Sequence, residues 1–206
     1  MVLRQFHLAG IVQLTLKSAL KEDGWFLSFD KKESIDKNGD PIPWLTYSSI
    51  KFIEKRLKKN FNVFEYGCGN STIWFANKVH SITSVEHDKL WLSKVKSKLP
   101  ENAVVHHYEL NSNNDYAKSI NETGKKFNVV IIDGRQRNEC VRFCLDHMTD
   151  DGIIIFDNTQ ENDYKIGIDF LYSNGFREIE FQGILPIVSY NNTTSIFYRS
   201  KNCFNI

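Results

Sequence analysis

Little in this sequence points to a strongly charged or membrane-bound partner. Lysine and arginine number 26 against 25 acids, a formal net charge of +1. No broad basic field is therefore available to hold a nucleic-acid backbone, and no nucleic-acid partner is expected. No apolar run approaches the ~20 residues needed to span a bilayer, so no membrane partner is expected either. Cys68, Cys140, Cys144 and Cys203 show neither the spacing of a metal knuckle nor that of a disulfide framework. Cys140 and Cys144 stand four apart beside His147 and read as small core residues. No internal repeat or low-complexity tract is present. The apolar stretch from Leu8 to Leu16 behind Arg4 reads only faintly as a leader. Gln13 and Thr15 interrupt it, and no small-residue cleavage pattern follows. These absences leave a globular chain of 206 residues, expected in the cytoplasm.

What is present divides into two parts. Residues 1–59 are expected to form a helical extension, in the order helix, polar loop and helix, that covers one side of the site, and residues 60–206 the main domain. Turn signals at Glu22-Asp23-Gly24 and between Asp36 and Pro41 predict a loop or short hairpin around Trp25-Phe26-Leu27. From Tyr47 to Lys59, Ile50, Ile53, Glu54 and Leu57 follow a helical spacing. The basic run Lys55-Arg56-Lys58-Lys59 would complement the dipole at that helix's end. Beyond residue 62, strand and helix patterns alternate. Strands are expected near 63–66, 81–86, 104–109, 128–133, 152–157, 177–181 and 194–199, with helices between most of them. Val129-Val130-Ile131-Ile132 and Ile153-Ile154-Ile155-Phe156 are continuously apolar, as central parallel strands covered on both faces must be. The expected fold is a doubly wound α/β sheet of seven mostly parallel strands. Its last two strands have no helical pattern between them and should pair antiparallel as an edge hairpin.

Acids mark the ends of four of these strands: Glu65, Glu86, Asp133 and Asp157. In an open α/β sheet the ligand lies beyond the carboxyl ends of the strands. One acid there is often a cap or a turn residue; four converging on one edge are harder to dismiss. Between the first of them and the next helix, Glu65-Tyr66-Gly67-Cys68-Gly69-Asn70-Ser71 makes a glycine turn. Asn70 or Ser71 could cap that helix. The dinucleotide fingerprint would want glycine at position 72, where threonine stands, and Glu65 would repel a diphosphate. An ammonium would be welcome there instead. Glu86, nineteen residues past Gly67, could accept both hydroxyls of a ribose.

Together with Ser84-Val85-Glu86-His87-Asp88, Val130-Ile131-Ile132-Asp133-Gly134 and the run from Gly152 to Asn158, this turn resembles the class I S-adenosylmethionine-dependent methyltransferases over about residues 60–200. The resemblance implies that Glu65 holds the methionine amino group, often through water. It passes the Tyr66-Gly67 and Gly69-Asn70-Ser71 backbone under the methionine and ribose. Glu86 would bind the ribose hydroxyls, His87 would lie beside the adenine, and Asp133 would lie near the methyl group. Asp133 and Asp157 would be the catalytic acids. Asp133, Asp157 and Asn158 also resemble the three metal ligands of the catechol and caffeoyl-CoA O-methyltransferases, a set suited to Mg²⁺. Gly134-Arg135 departs from that pattern by bringing a cation close, and a turn-and-cap role explains Asp157-Asn158 equally well.

The Asn/Asp-Pro-Pro-aromatic run of amino-methylating nucleic-acid enzymes is replaced by Asp133-Gly134-Arg135-Gln136-Arg137, and the Pro-Cys nucleophile of base-carbon methylation is absent. The acceptor is therefore expected to be a small or sugar-like molecule methylated on oxygen. Arg135 and Arg137 could clamp an anionic group on it or simply face solvent. Trp44, Tyr47 and the Trp25-Phe26 pair could wall its pocket or belong to the core, as could Tyr164 and Tyr190. Two rival functions stay open: an NAD(P)-dependent oxidoreductase or epimerase on a similar sheet, and a non-catalytic binding module. The sequence carries no signal of oligomeric state.

Overall fold

Apolar residues in the central strands alternate between two helix-covered faces, and that alternation sets the architecture. The computed structural model describes residues 8–206; Arg4 and His7 lie outside them. The main domain runs β1 Asn62–Tyr66, α5 Asn70–Ala76, β2 Ser81–Glu86, α6 Lys89–Lys96, β3 Ala103–His107, α7 Asp115–Lys118, β4 Phe127–Ile132, α8 Arg137–Cys144, β5 Met148–Asp157, α9 Lys165–Ser173, β6 Arg177–Ile184 and β7 Asn191–Tyr198. The seven strands lie in the order β3-β2-β1-β4-β5-β7-β6. Strands β1 to β5 are parallel; β7 runs antiparallel to β5 and to β6, the expected edge hairpin.

Val63, Val129, Ile131, Ile153 and Ile155 face one core, closed by Ile50, Ile53, Trp74 and Phe75. Phe64, Val130, Ile132, Ile154 and Phe156 face the other, closed by Tyr116, Cys140, Val141, Cys144 and Leu171. Cys140 and Cys144 are thus the core residues their spacing suggested, with burial pushing both thiols up. Tyr66 belongs to this second core. Its ring packs against Phe64 and Tyr116, and its hydroxyl donates to the Ala117 carbonyl at 2.8 Å. The expectation that Tyr66 lines a ligand site is corrected for its side chain.

The extension contains more helix than the turn signals suggest: α1 Leu8–Leu16, α2 Ala19–Glu22, α3 Trp25–Lys31 and α4 Tyr47–Glu54. The expected loop around Trp25 is helix α3. Gly24, at φ 85°, turns the chain into it, and tertiary hydrogen bonds hold it. Trp25 Nε1 donates to the Val188 carbonyl at 2.7 Å, and the Ile187 amide donates to Ser28 Oγ at 3.1 Å. Trp44 Nε1 likewise donates to the Pro186 carbonyl at 2.8 Å. The extension is thereby fastened to the loop between β6 and β7, above the carboxyl ends of the strands. Helix α4 stops at Glu54, short of the basic run, where Arg56 folds back over the Phe52 ring. Among the described residues no helix is long and apolar enough to cross a membrane.

At the sheet's carboxyl edge the ends of β1 and β4 touch through two glycines. A Cβ on Gly134 would sit 2.0 Å from the Tyr116 hydroxyl and 2.9 Å from the Gly67 amide nitrogen. Gly67 itself has φ 100°, which a side chain would strain. Overpacking of this kind costs about 1–3 kcal/mol. Gly134→Ala should lower unfolding free energy by about that much in urea titrations. Gly183→Ala, where nothing lies within 4 Å, should stay within about 0.5 kcal/mol of the parent.

Candidate functional site

The four strand-end acids do converge. A cleft of about 520 Å³ lies over the carboxyl ends of β1, β2, β4 and β5, and Glu65, Glu86, Asp133 and Asp157 all line it. Gly67, His87, Arg135 and Arg137 contribute to its walls, and Trp44, Leu185 and Tyr190 form part of its cover. Each acid is removed from water to a different extent, and each has different partners.

Glu65 is 1% exposed and sits in register with Ser84 on β2. Ser71 donates to its Oε1, while Thr72 and Ser84 donate to its Oε2 at 2.5 and 2.6 Å. Burial raises this carboxyl above its ordinary range, against the pull of the three hydroxyls. Glu65 therefore braces the glycine turn through Ser71 and Thr72 while lining the cleft. Thr72, not Asn70 or Ser71, caps helix α5, its hydroxyl accepting from the Gly69 amide at 3.1 Å. Asn70 instead donates to the Ser34 carbonyl at 2.8 Å and ties the turn to the extension.

Glu86 ends β2 and is organised by the backbone. Its Oε1 accepts from the His87 and Asp88 amides at 2.8 and 2.9 Å and meets His87 Nδ1 at 2.7 Å. Its Oε2 accepts only from the Cys68 amide, at 3.2 Å. An ionised carboxylate offers about four acceptor positions. Oε2 thus keeps acceptor capacity in a residue that lines the cleft. This is the feature a ribose diol needs, so the residues present fit the nucleoside end of an S-adenosylmethionine molecule. Trp91 Nε1 donates to the Cys68 carbonyl at 2.7 Å and fixes an indole beside the same turn.

Asp157 is 3% exposed, and burial raises its carboxyl to about 6. Asn192 donates to both of its oxygens at 3.1 and 3.2 Å, and Thr194 to one at 2.6 Å. It is held by β7, with a donor from that strand on each of its oxygens, while still lining the cleft. Asp133 differs, its side chain being 27% exposed. Burial, and then the neighbouring Asp157, push its carboxyl well above the usual range, while Arg137 opposes them.

The metal set does not fit a cation. Arg137 lies among the three residues the resemblance offered as ligands. Its guanidinium donates to Asn158 Oδ1 at 2.8 Å, to the Asp157 carbonyl, and to the Asp133 carbonyl and Oδ1, both at 3.3 Å. A further bond reaches the Gly134 carbonyl at 3.0 Å, and the plane lies 4.9 Å from the Tyr164 ring centroid. The Arg137 side chain is 10% exposed, so a fixed positive charge already stands where Mg²⁺ would have to enter. Among the described residues no group of three histidine, cysteine or acidic side chains could hold a metal. The cation foreseen near Gly134 is thus Arg137 rather than the exposed Arg135.

Sequence reasoning missed Ser84, Trp91, Asn192 and Thr194 as parts of the site. The polar run Asn191-Asn192-Thr193-Thr194, at the start of a strand beside a central one, was the available signal for the last two. Of the candidate aromatics, Trp44 and Tyr190 line the cleft. Tyr47 is core, Trp25 and Phe26 pack edge-to-face, and Tyr164 stacks on Arg137.

Residues 64–159 match the model of a methyltransferase domain family. No curated protein matches the chain in sequence. Among solved structures, the precorrin-6y C5,15-methyltransferase of Geobacter metallireducens superposes with a TM-score of 0.60 at 13% identity, covering 83% of this chain and 96% of its own. An rRNA methylase of Streptococcus thermophilus gives 0.58 at 14% identity, covering 75% and 96%. SMU.1697c of Streptococcus mutans, solved in complex with SAH, gives 0.54 at 15% identity, covering 73% and 96%. The family match favours the methyltransferase reading over an oxidoreductase on a similar sheet. Residues 64–159 are thus similar to a methyltransferase domain, and the sheet that carries them has the fold of these solved methyltransferases.

Proposed function

We propose that the domain transfers a methyl group from S-adenosylmethionine to a hydroxyl of a small or sugar-like acceptor, without a metal. The observation that carries the donor's placement is the Glu86 carboxylate, which lines the cleft at the end of β2 and whose Oε2 accepts one backbone hydrogen bond. In this reading Glu86 takes the ribose hydroxyls, His87 borders the adenine, and Gly67 lets the backbone run close beneath the nucleoside. Gly69, Asn70 and Ser71 continue that wall. Glu65 contributes its charge toward the amino group. The bound donor supplies a sulfonium methyl that needs no further activation. What remains for the chain is to hold nucleophile and methyl in line and to exclude water, so positioning carries most of the rate.

The acceptor hydroxyl must still lose its proton, and Asp133 is the acid best placed to take it. It is partly exposed to the cleft, and burial and the neighbouring Asp157 raise its proton affinity, which favours taking up a proton. Arg137 keeps that carboxyl oriented from the side away from the acceptor. Residues 1–59 act as the acceptor-side cover through Trp44, and residues 60–206 supply the donor site. A small acceptor is supported by that cover, which the β6–β7 loop and the extension close jointly. A nucleic-acid acceptor, as the name of the S. thermophilus relative would suggest, is disfavoured by the net charge of +1 and by the missing Pro-Pro-aromatic run.

Four outcomes follow. Glu86→Gln should weaken S-adenosylhomocysteine binding about tenfold or more in calorimetric titrations, because one ribose hydroxyl loses a charged acceptor; unchanged affinity would remove Glu86 from the donor site. Asp133→Asn should lower turnover by about 10²–10⁴ while changing S-adenosylhomocysteine affinity far less. Arg137→Met would leave Asp133 and Asp157 facing each other without their cation, and it should cost about 3–5 kcal/mol of stability in denaturant. Millimolar Mg²⁺ should leave the melting temperature of the parent protein unchanged. A stoichiometric Mg²⁺-dependent rise would contradict the metal-free reading.

A further inference from the structure

Beside the cleft lies a second cavity of about 590 Å³, which meets it along Cys68, Ser71 and Asp133 and adds a lysine-lined side that the donor reading does not use. One wall is a single face of helix α6 and its continuation. Trp91, Lys94, Val95 and Lys98 recur there at the spacing that places side chains above one another on a helix. Lys31, Lys32 and Ser34 form the opposite wall, at the end of α3. Among the described residues none of these four lysines takes part in an ion pair, although the Lys32 ammonium lies 3.7 Å from the Phe29 ring centroid. The lining acids are Glu33 and Asp133, and the latter already meets Arg137. Like charges gathered around one space repel one another unless an anion enters it.

A second, independent feature lies in the same wall. Ser34 is 7% exposed, and its hydroxyl has no hydrogen-bond partner in the protein. Its carbonyl is fully employed, accepting from Asn70 Nδ2 and from the Ile42 amide. Buried hydroxyls are nearly always satisfied, so Ser34 is a residue of this wall whose hydroxyl the protein leaves unpaired. Trp44 and Trp91, 47% and 46% exposed, border both this cavity and the cleft and leave flat apolar surface at the junction.

We propose that this cavity binds a phosphate group of the methyl acceptor, which makes the acceptor a phosphorylated small molecule whose ring passes between Trp44 and Trp91. The inference rests on the methyltransferase reading of the adjoining cleft. Lysines favour phosphate over carboxylate here. A planar carboxylate is read best by the fork of an arginine, whereas a tetrahedral group with several oxygens accepts separate ammonium donors from two walls. Asp133 lines both spaces. A phosphate held at the lysines would therefore leave the rest of the acceptor pointing toward the proposed base.

The test uses the full chain loaded with S-adenosylhomocysteine and titrated with inorganic pyrophosphate at low ionic strength. One equivalent should bind. The Lys94→Gln/Lys98→Gln double variant should weaken it by about tenfold or more, and Ser34→Ala by a smaller factor. Lys96→Gln removes a charge from the same helix outside the cavity lining, and it should change the affinity less than twofold. S-adenosylhomocysteine affinity should stay the same in all of these variants. Absence of pyrophosphate binding by the loaded protein, or an equal loss in Lys96→Gln, overturns the phosphate site while leaving the methyltransferase reading intact. Failure of the parent protein to bind S-adenosylhomocysteine overturns that reading instead.

Discussion

Four carboxylates at the carboxyl edge of one sheet must each be satisfied away from bulk water, and the rest of the site is arranged to do so. An unpaired buried charge is among the most costly features a fold can contain. Each acid here draws a different kind of partner. Glu65 takes three hydroxyls from α5 and β2. Glu86 takes backbone amides from two turns. Asp157 takes an amide side chain and a hydroxyl from β7. Asp133 takes a guanidinium from α8. Glu65 pulls the start of α5 down onto the sheet. Glu86 sets the Cys68 amide and so the path of the glycine turn. Asp157 explains why a polar segment of an antiparallel strand lies beside the apolar β5.

The cover depends on a separate set of bonds. Two indole nitrogens, Trp25 and Trp44, and one serine hydroxyl, Ser28, bind the backbone of the β6–β7 loop. These are long-range contacts between a stretch that looks like turn in isolation and a loop with no regular structure. Neither segment could order the other without the indoles, because a loop backbone needs partners for its amides and carbonyls. The Asn70 bond to the Ser34 carbonyl then joins this cover to the glycine turn. Donor floor and acceptor roof are in this way one hydrogen-bonded structure, and the second cavity lies within it.

How much of this was legible in the sequence follows from the range of the interactions. The sheet and its hairpin were readable because apolar alternation and strand-end acids are local signals. The convergence of Glu65, Glu86, Asp133 and Asp157 was readable because parallel strands place their carboxyl ends on one edge. Helix α3 was not readable, since its stability comes from contacts with residues 187 and 188, far along the chain. The inward orientation of the Tyr66 side chain, set by the two-residue alternation it shares with Phe64, could have been deduced from the pattern. The partners of Asp157 could not, because Asn192 and Thr194 reach it only through the pairing of β5 with β7. Arg137 reads from its surroundings as a solvated first-turn residue; only the folded backbone shows it closing over two acids.

That arginine decides what kind of chemistry the edge supports. A divalent cation at this position would be held by oxygen ligands, exchange with solvent and leave coordination sites open to an acceptor. A guanidinium is always charged, has no open coordination site and spends its donors on the protein itself. Here five contacts to Asp133, Gly134, Asp157 and Asn158 consume it. It can neutralise the acids but cannot polarise an acceptor oxygen lying beyond them. Activation of the acceptor then falls to whichever group still faces open space. Asp133 is the one acid common to both the cleft and the lysine-lined cavity. In the proposed reading an arginine stands where the resemblance offered a metal, and the chemistry would rest on the Asp133 carboxylate that this arginine holds in place.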